Sequence, residues 1–113
     1  RSSAASDVYK RQEFIRCVTE SLAHRYKLGV EQMNRCLPAP VKQLHIIGGG
    51  CQNRLLNQLT ANALGIPVYA GPVEATAIGN ILVQAKAQGE IDTWEELKEI
   101  IINSVKPQVY YPE

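Results

Sequence analysis

The chain has 113 residues, with 12 Lys+Arg against 11 Asp+Glu and a formal net charge of +1. Apolar residues make up 45% and charged residues 20%, a globular balance that excludes wholesale disorder. So even a charge gives no electrostatic reason to expect nucleic acid or an acidic membrane as partner, and no apolar run approaches the roughly 20 residues of a membrane span.

Residues 1–12 (RSSAASDVYKRQ) are small and polar and show no apolar period. They resemble a translated sequencing adapter or cloning scar, or else a disordered leader, and are set apart from a domain expected over 13–113. From Glu13 the pattern is helical: Phe14, Val18, Leu22, Tyr26, Val30 and Met33 recur every three to four residues, with Ile15 widening the stripe. Pro38 and Pro40 stop this helix near Asn34–Leu37. The run KQLHII (Lys42–Ile47) reads as a buried strand entering Gly48-Gly49-Gly50. A second helix is expected from Gln52 to Leu64, where Gly65 suits a left-handed cap and Pro67 blocks continuation. A short strand over Pro67–Ala70 ends at Gly71-Pro72. A third helix follows from Ala75–Thr76 to Gln88, and a fourth from Thr93, where Thr93 and Glu96 form a capping box ahead of Trp94, Leu97, Ile100 and Ile101. Residues 107–113 read as an extended tail.

This order is α/β. Two strands under four helices make a poor independent core, so the sequence predicts one part of a larger sheet. Cys17, Cys36 and Cys51 are odd in number and unclustered, and with only His24 and His45 beside them they suggest reduced cytosolic thiols and no metal site.

The strand running into Gly48–Gly50 and then a helix is the sharpest local feature. Glycine there lets a ligand approach the backbone without a Cβ between them, and the following helix start offers unpaired N–H groups. A nucleotide or other anion suits this; a plain tight turn is the alternative. The stricter fingerprints are unmet, because Asn53 stands where a dinucleotide loop needs glycine and no Gly-Lys-Ser/Thr follows. In the segment Ala70–Asn80 (AGPVEATAIGN), Glu74 precedes a helix start, where a carboxylate can satisfy free N–H groups. Gly79 inside that helix suggests close approach of another backbone. His45 is expected as a hydrogen-bonded core histidine and Trp94 as packing. Cys51, beside the turn, is a candidate reactive thiol.

Together, IIGGGCQNRLLNQLTANALGIPVYAGPVEATAIGNILVQA (Ile46–Ala85) resembles the C-terminal domain of the FGGY carbohydrate kinases. The forms GGGCQNRLLNQ and GPVEATAIGN are most similar to the branch of that family that acts on L-rhamnulose. The resemblance implies an α/β chain forming part of the C-terminal domain of an actin-like ATPase (ribonuclease H-like) fold. It implies a cytoplasmic enzyme that moves the γ-phosphate of ATP, with Mg2+, to a sugar hydroxyl, here giving L-rhamnulose 1-phosphate. The family's adenosine loop falls on Gly48, Gly49 and Gly50, with Gly49 as the contact, and Asn53 matches an amide beside the adenine. Helix capping is the other reading of Asn53; Gln52 and Cys51 are further candidates. The catalytic Asp, the phosphate loop, the sugar contacts and the metal site are expected outside this chain, and neither Glu90 nor Asp92 fits a general base. The chain is accordingly expected to be cut at both ends, to pack on the remainder of a kinase and to be inactive alone. Alternatives are an FGGY kinase for xylulose, glycerol or fuculose, and a non-catalytic actin-like domain. A small Rossmann-type domain lacks its glycine at 53 and a downstream ribose-binding acid.

Overall fold

The computed structural model describes residues 2–113, with side chains described from residue 4 onward. The first helix, α1, spans Ser2–Cys36. It therefore starts well before Glu13: Ala4, Ala5, Lys10, Arg11 and Gln12 are good helix formers, and a nucleated helix propagates through them without tertiary support. Beyond Cys36 the prolines end it, and Asn34 Oδ1 accepts the Val41 N–H at 2.8 Å, folding the linker back on the last turn.

The face of α1 that packs coincides with the expected stripe only at Val30. Thr19, Ala23 and Val30 are the buried positions, lying against α2 (Arg54–Leu64), while Phe14 is 70% exposed and Ile15, Val18, Leu22, Tyr26 and Met33 are also open. Small residues let the two helix backbones approach closely, and the Thr19 hydroxyl is satisfied by donating to the Ile15 carbonyl at 2.7 Å. Of the large apolar side chains of α1, Tyr26 and Met33 border a recess lined also by Leu44, Ile46 and Ile47.

Strands β1 (Leu44–Ile46) and β2 (Val68–Ala70) are parallel, with Leu44 opposite Val68, and α2 is the crossover between them. A third strand, β3 (Gln108–Tyr110), pairs antiparallel to β2, placing Ala70 opposite Gln108. The sheet order is β1-β2-β3, one strand more than the sequence predicts. Gln58 Nε2 donates to the Tyr111 carbonyl at 2.8 Å and Glu113 N–H to Asn62 Oδ1 at 2.9 Å, so α2 holds the extended tail in place.

The stop signals of α2 behave as predicted: Gly65 adopts φ 70°, ψ 20°, and its N–H returns to the Ala61 carbonyl. Helices α3 (Ala75–Ala87) and α4 (Trp94–Ser104) form the connection from β2 to β3. Half of the capping box on α4 is present, with Thr93 Oγ1 accepting the Glu96 N–H, while Glu96 Oε2 reaches back to the Asp92 N–H, one residue before the cap. α3 buries none of its residues, and nothing lies within 4 Å of a Cβ built on Gly79, so the close approach expected there is not made within this chain. Trp94 is 56% exposed, with Lys86 Nζ 4.7 Å from its ring centroid rather than packed in a core. The radius of gyration is 18.4 Å against about 13 Å for a compact domain of this length. The sheet, α2 and the part of α1 that lies on α2 are the packed part, and α3 and α4 make few contacts with it.

Candidate nucleotide-binding site

Both segments singled out in the sequence meet at the carboxyl ends of β1 and β2. Gly71 N–H donates to the Ile46 carbonyl at 2.8 Å, and Gly48 N–H donates to the Pro72 carbonyl at 3.1 Å. Gly48 leaves the strand at φ 82°, a backbone conformation that side-chain-bearing residues rarely adopt, and Gly49–Gln52 then form one 3-10 turn. The turn's carbonyls face inward: Gly48 O accepts from Cys51 N at 3.1 Å and Gly50 O from Asn53 N at 3.2 Å. Among the described residues the N–H groups of Gly49 and Gly50 have no acceptor. Both residues are exposed, and a Cβ on either would meet nothing within 4 Å.

Asn53 caps α2, its Oδ1 accepting the Leu56 N–H at 3.0 Å. The capping reading is therefore realised on the oxygen, and the exposed side chain still offers its amide nitrogen to a ligand. Glu74 is the first residue before α3, but its carboxylate makes no capping hydrogen bond; only its backbone carbonyl is used, by the Ile78 N–H at 3.1 Å. His45 is an exposed strand residue, not a core one. Its ring stacks on Tyr69 at 4.9 Å, and Nε2 pairs with Gln43 Nε2 at 3.0 Å.

Beside the glycine turn lies a recess of about 400 Å3. Cys51, Gln52 and Arg54 wall it on one side, Gly71 and Pro72 close its floor, and Lys106, Gln108 and Tyr110 face it from the tail. Gly48, Gly49, Gly50 and Asn53 lie next to this recess rather than in its wall, whereas Gln52 and Cys51 are part of it. Arg54 and Lys106 bring two cations and the wall holds no carboxylate, which suits an anionic ligand. Sequence reading missed Lys106, Gln108 and Tyr110, because only the antiparallel pairing of β3 brings the tail to this place. The Val109-Tyr110-Tyr111 run, rich in strand-forming residues, was the available signal.

Among the described residues no cluster of three or more His, Cys, Asp or Glu could hold a metal ion, and no helix is long and apolar enough to cross a membrane. Cys17 and Cys36 are exposed and Cys51 buried, none of them in a disulfide.

Residues 3–88 match the family model described as the FGGY family of carbohydrate kinases, C-terminal domain. Curated relatives of similar sequence carry the name rhamnulokinase. That of Bacteroides thetaiotaomicron is 47% identical over 104 residues, covering 92% of this chain and 21% of the relative. That of Bacillus subtilis is 41% identical over 97 residues, covering 86% and 20%, and that of Enterobacter sp. is 41% identical over 100 residues, covering 88% and 20%. The chain thus spans about a fifth of the length of the curated relatives it matches.

Proposed function

Given that the chain belongs to the FGGY family of carbohydrate kinases, we propose that it is the adenosine-binding part of a longer cytoplasmic kinase that phosphorylates L-rhamnulose to L-rhamnulose 1-phosphate. The observation that carries this reading is the convergence of two loops at the strand ends. There the free N–H groups of Gly49 and Gly50 lie open to a ligand, beside a recess of about 400 Å3 with two cations in its wall. Crevices at the carboxyl ends of parallel strands are where α/β sheets take their ligands.

The chain's own residues fit the base-and-ribose end of ATP. Gly48, Gly49 and Gly50 would present backbone donors without side chains in the way, and the Asn53 amide nitrogen would meet an acceptor on the purine edge. ATP supplies the phosphoryl group and Mg2+ offsets its charge; the base for the sugar hydroxyl and the metal ligands belong to the remainder of an actin-like, ribonuclease H-like fold. That remainder also covers the open faces of α1 and β1.

The test is steady-state kinetics on the longer protein, with L-rhamnulose, xylulose, glycerol and fuculose compared as acceptors. ADP release is expected with L-rhamnulose, and Gly49→Leu is expected to raise the KM for ATP by about a hundredfold while leaving the KM for sugar unchanged, because the new side chain fills the approach to the turn. Preference for another sugar would move the protein to a different branch of the family. ATP binding without turnover on any of them would favour a non-catalytic actin-like domain.

A further inference from the structure

The three-glycine turn is held by backbone hydrogen bonds at Gly48, Cys51 and Asn53 and by a side chain. Glycine has the largest backbone freedom to lose on ordering, so a turn built from three of them needs a restraint from outside itself. Among the described residues one side chain supplies it: Asn57, on the first full turn of α2, donates from Nδ2 to the Cys51 carbonyl at 2.8 Å. Asn57 is 0% exposed, and its own N–H bonds the Asn53 carbonyl at 3.0 Å. The helix that carries it is anchored on both sides of the site by buried Leu56, Thr60 and Ala61. The donor therefore sits on a helix with a buried face, and its acceptor on the glycine turn.

The other end of the same side chain is unsatisfied. Asn57 Oδ1 is buried and has no hydrogen-bond partner among the described residues. A half-satisfied amide in a core is less favourable than an apolar residue of similar volume, so packing alone does not account for asparagine here. Thr60, one turn further along, is the contrast: it is equally buried, and its hydroxyl is fully engaged with the Leu56 carbonyl of its own helix at 2.6 Å.

We infer that Asn57 is a positioning residue for the nucleotide loop, fixing the Cys51 carbonyl inward and so aiming the Gly49 and Gly50 N–H groups outward. It touches no ligand and acts through the turn. The inference rests on the nucleotide-binding reading of that turn.

The experiment uses the longer protein and compares Asn57→Leu, Asn57→Ser and Thr60→Val. Asn57→Leu removes both the donor and the orphan oxygen, and is expected to raise the KM for ATP about tenfold, the worth of one buried hydrogen bond, with kcat and the KM for sugar within about twofold. Thr60→Val alters a neighbouring buried residue that does not touch the turn, and should leave the KM for ATP unchanged. An unchanged KM in Asn57→Leu, or an equal rise in Thr60→Val, overturns the inference. If Asn57→Leu fails to fold, the same comparison is made with Asn57→Ser, which is smaller and too short to reach Cys51.

Amide hydrogen exchange keeps this separate from failure of the functional reading. If the protein neither binds nor turns over ATP, the functional reading fails. In the Asn57 variants, faster exchange at Cys51 and Asn53, whose N–H groups bond to the Gly48 and Gly50 carbonyls, with α2 itself unchanged, would still support the tether. Unaltered exchange at these two amides would sink it.

Discussion

The recess between α1 and β1 and the recess beside the glycine turn enclose nearly equal volumes, about 410 and about 400 Å3, but their walls differ in chemistry. The first is walled by Tyr26, Val30 and Met33 from α1, by Leu44 and Ile46 from β1 and by Ile47 just after it, with Arg25 and His45 as its charged or polar contributors. The second has Gln52, Arg54, Lys106, Gln108 and Tyr110 around a floor of Gly71 and Pro72. β1 also bonds to β2 alone among the described strands, so its other edge presents unpaired backbone groups next to the apolar recess. An apolar wall joined to an open strand edge matches a polypeptide, which supplies both side chains and a pairing partner. A polar wall with two cations and free N–H groups matches a small anionic ligand. Volume alone distinguishes nothing here; the wall does.

The comparison breaks most visibly at Met33, which is 52% exposed in this chain. If polypeptide covers the apolar recess in the longer protein, Met33→Asp places an unpaired carboxylate in a closed interface. Its urea unfolding free energy should then fall by about 3 kcal/mol, the scale of an uncompensated buried charge. A surface methionine in water would tolerate the same change within about 0.5 kcal/mol. An unchanged unfolding midpoint would mean that the recess stays wet.

The two regions were also unequally legible. Around α2 the signals are local chemistry: the Asn53 side chain reaches Leu56 N, Gly65 takes the left-handed conformation, and Thr93 and Glu96 satisfy the start of α4 within a single turn. A sequence displays such contacts directly, because the partners are three or four residues apart. The loops from Gly48 and Gly71 could be recognised one by one, but their junction through Ile46 and Pro72 depends on the parallel pairing of β1 with β2. Lys106 reaches the same recess only because β3 turns back along β2. α1 was misread for a different reason. Its large apolar side chains follow a helical period, which marks a face to be covered without naming what covers it. Of that period only Val30 is buried within this chain, beside the small residues Thr19 and Ala23, which the period does not include.

The polar recess is sharpened at Asn53, where capping and ligand contact use different atoms of one side chain. Asn53→Ala removes both and should cost about 1 kcal/mol of stability, the usual worth of an N-cap. Asn53→Ser keeps an oxygen for the Leu56 N–H and loses the amide nitrogen. Stability should therefore stay within a few tenths of a kcal/mol of the parent in Asn53→Ser. Its ATP affinity in calorimetric titration should nevertheless fall as far as that of Asn53→Ala. Full ATP affinity in Asn53→Ser would leave the residue a cap and nothing more.

The smallest expected effect lies at the far end of the same helix, where Gly65 closes α2 at φ 70°. A Cβ there meets nothing within 4 Å, so only backbone conformation resists a side chain. Asparagine is the residue after glycine that best accepts this region, and Gly65→Asn should lower the thermal midpoint by the equivalent of a few tenths of a kcal/mol. Because Gly65 sits at the opposite end of α2 from the glycine turn, the affinity for ATP should not move at all. That pairing of a weakened helix with an intact site isolates the polar recess as the binding region. If Gly65→Asn lowered ATP affinity as well, the site would depend on the overall stability of α2, and the changes at Asn53 and Asn57 could no longer be read as contacts of the loop.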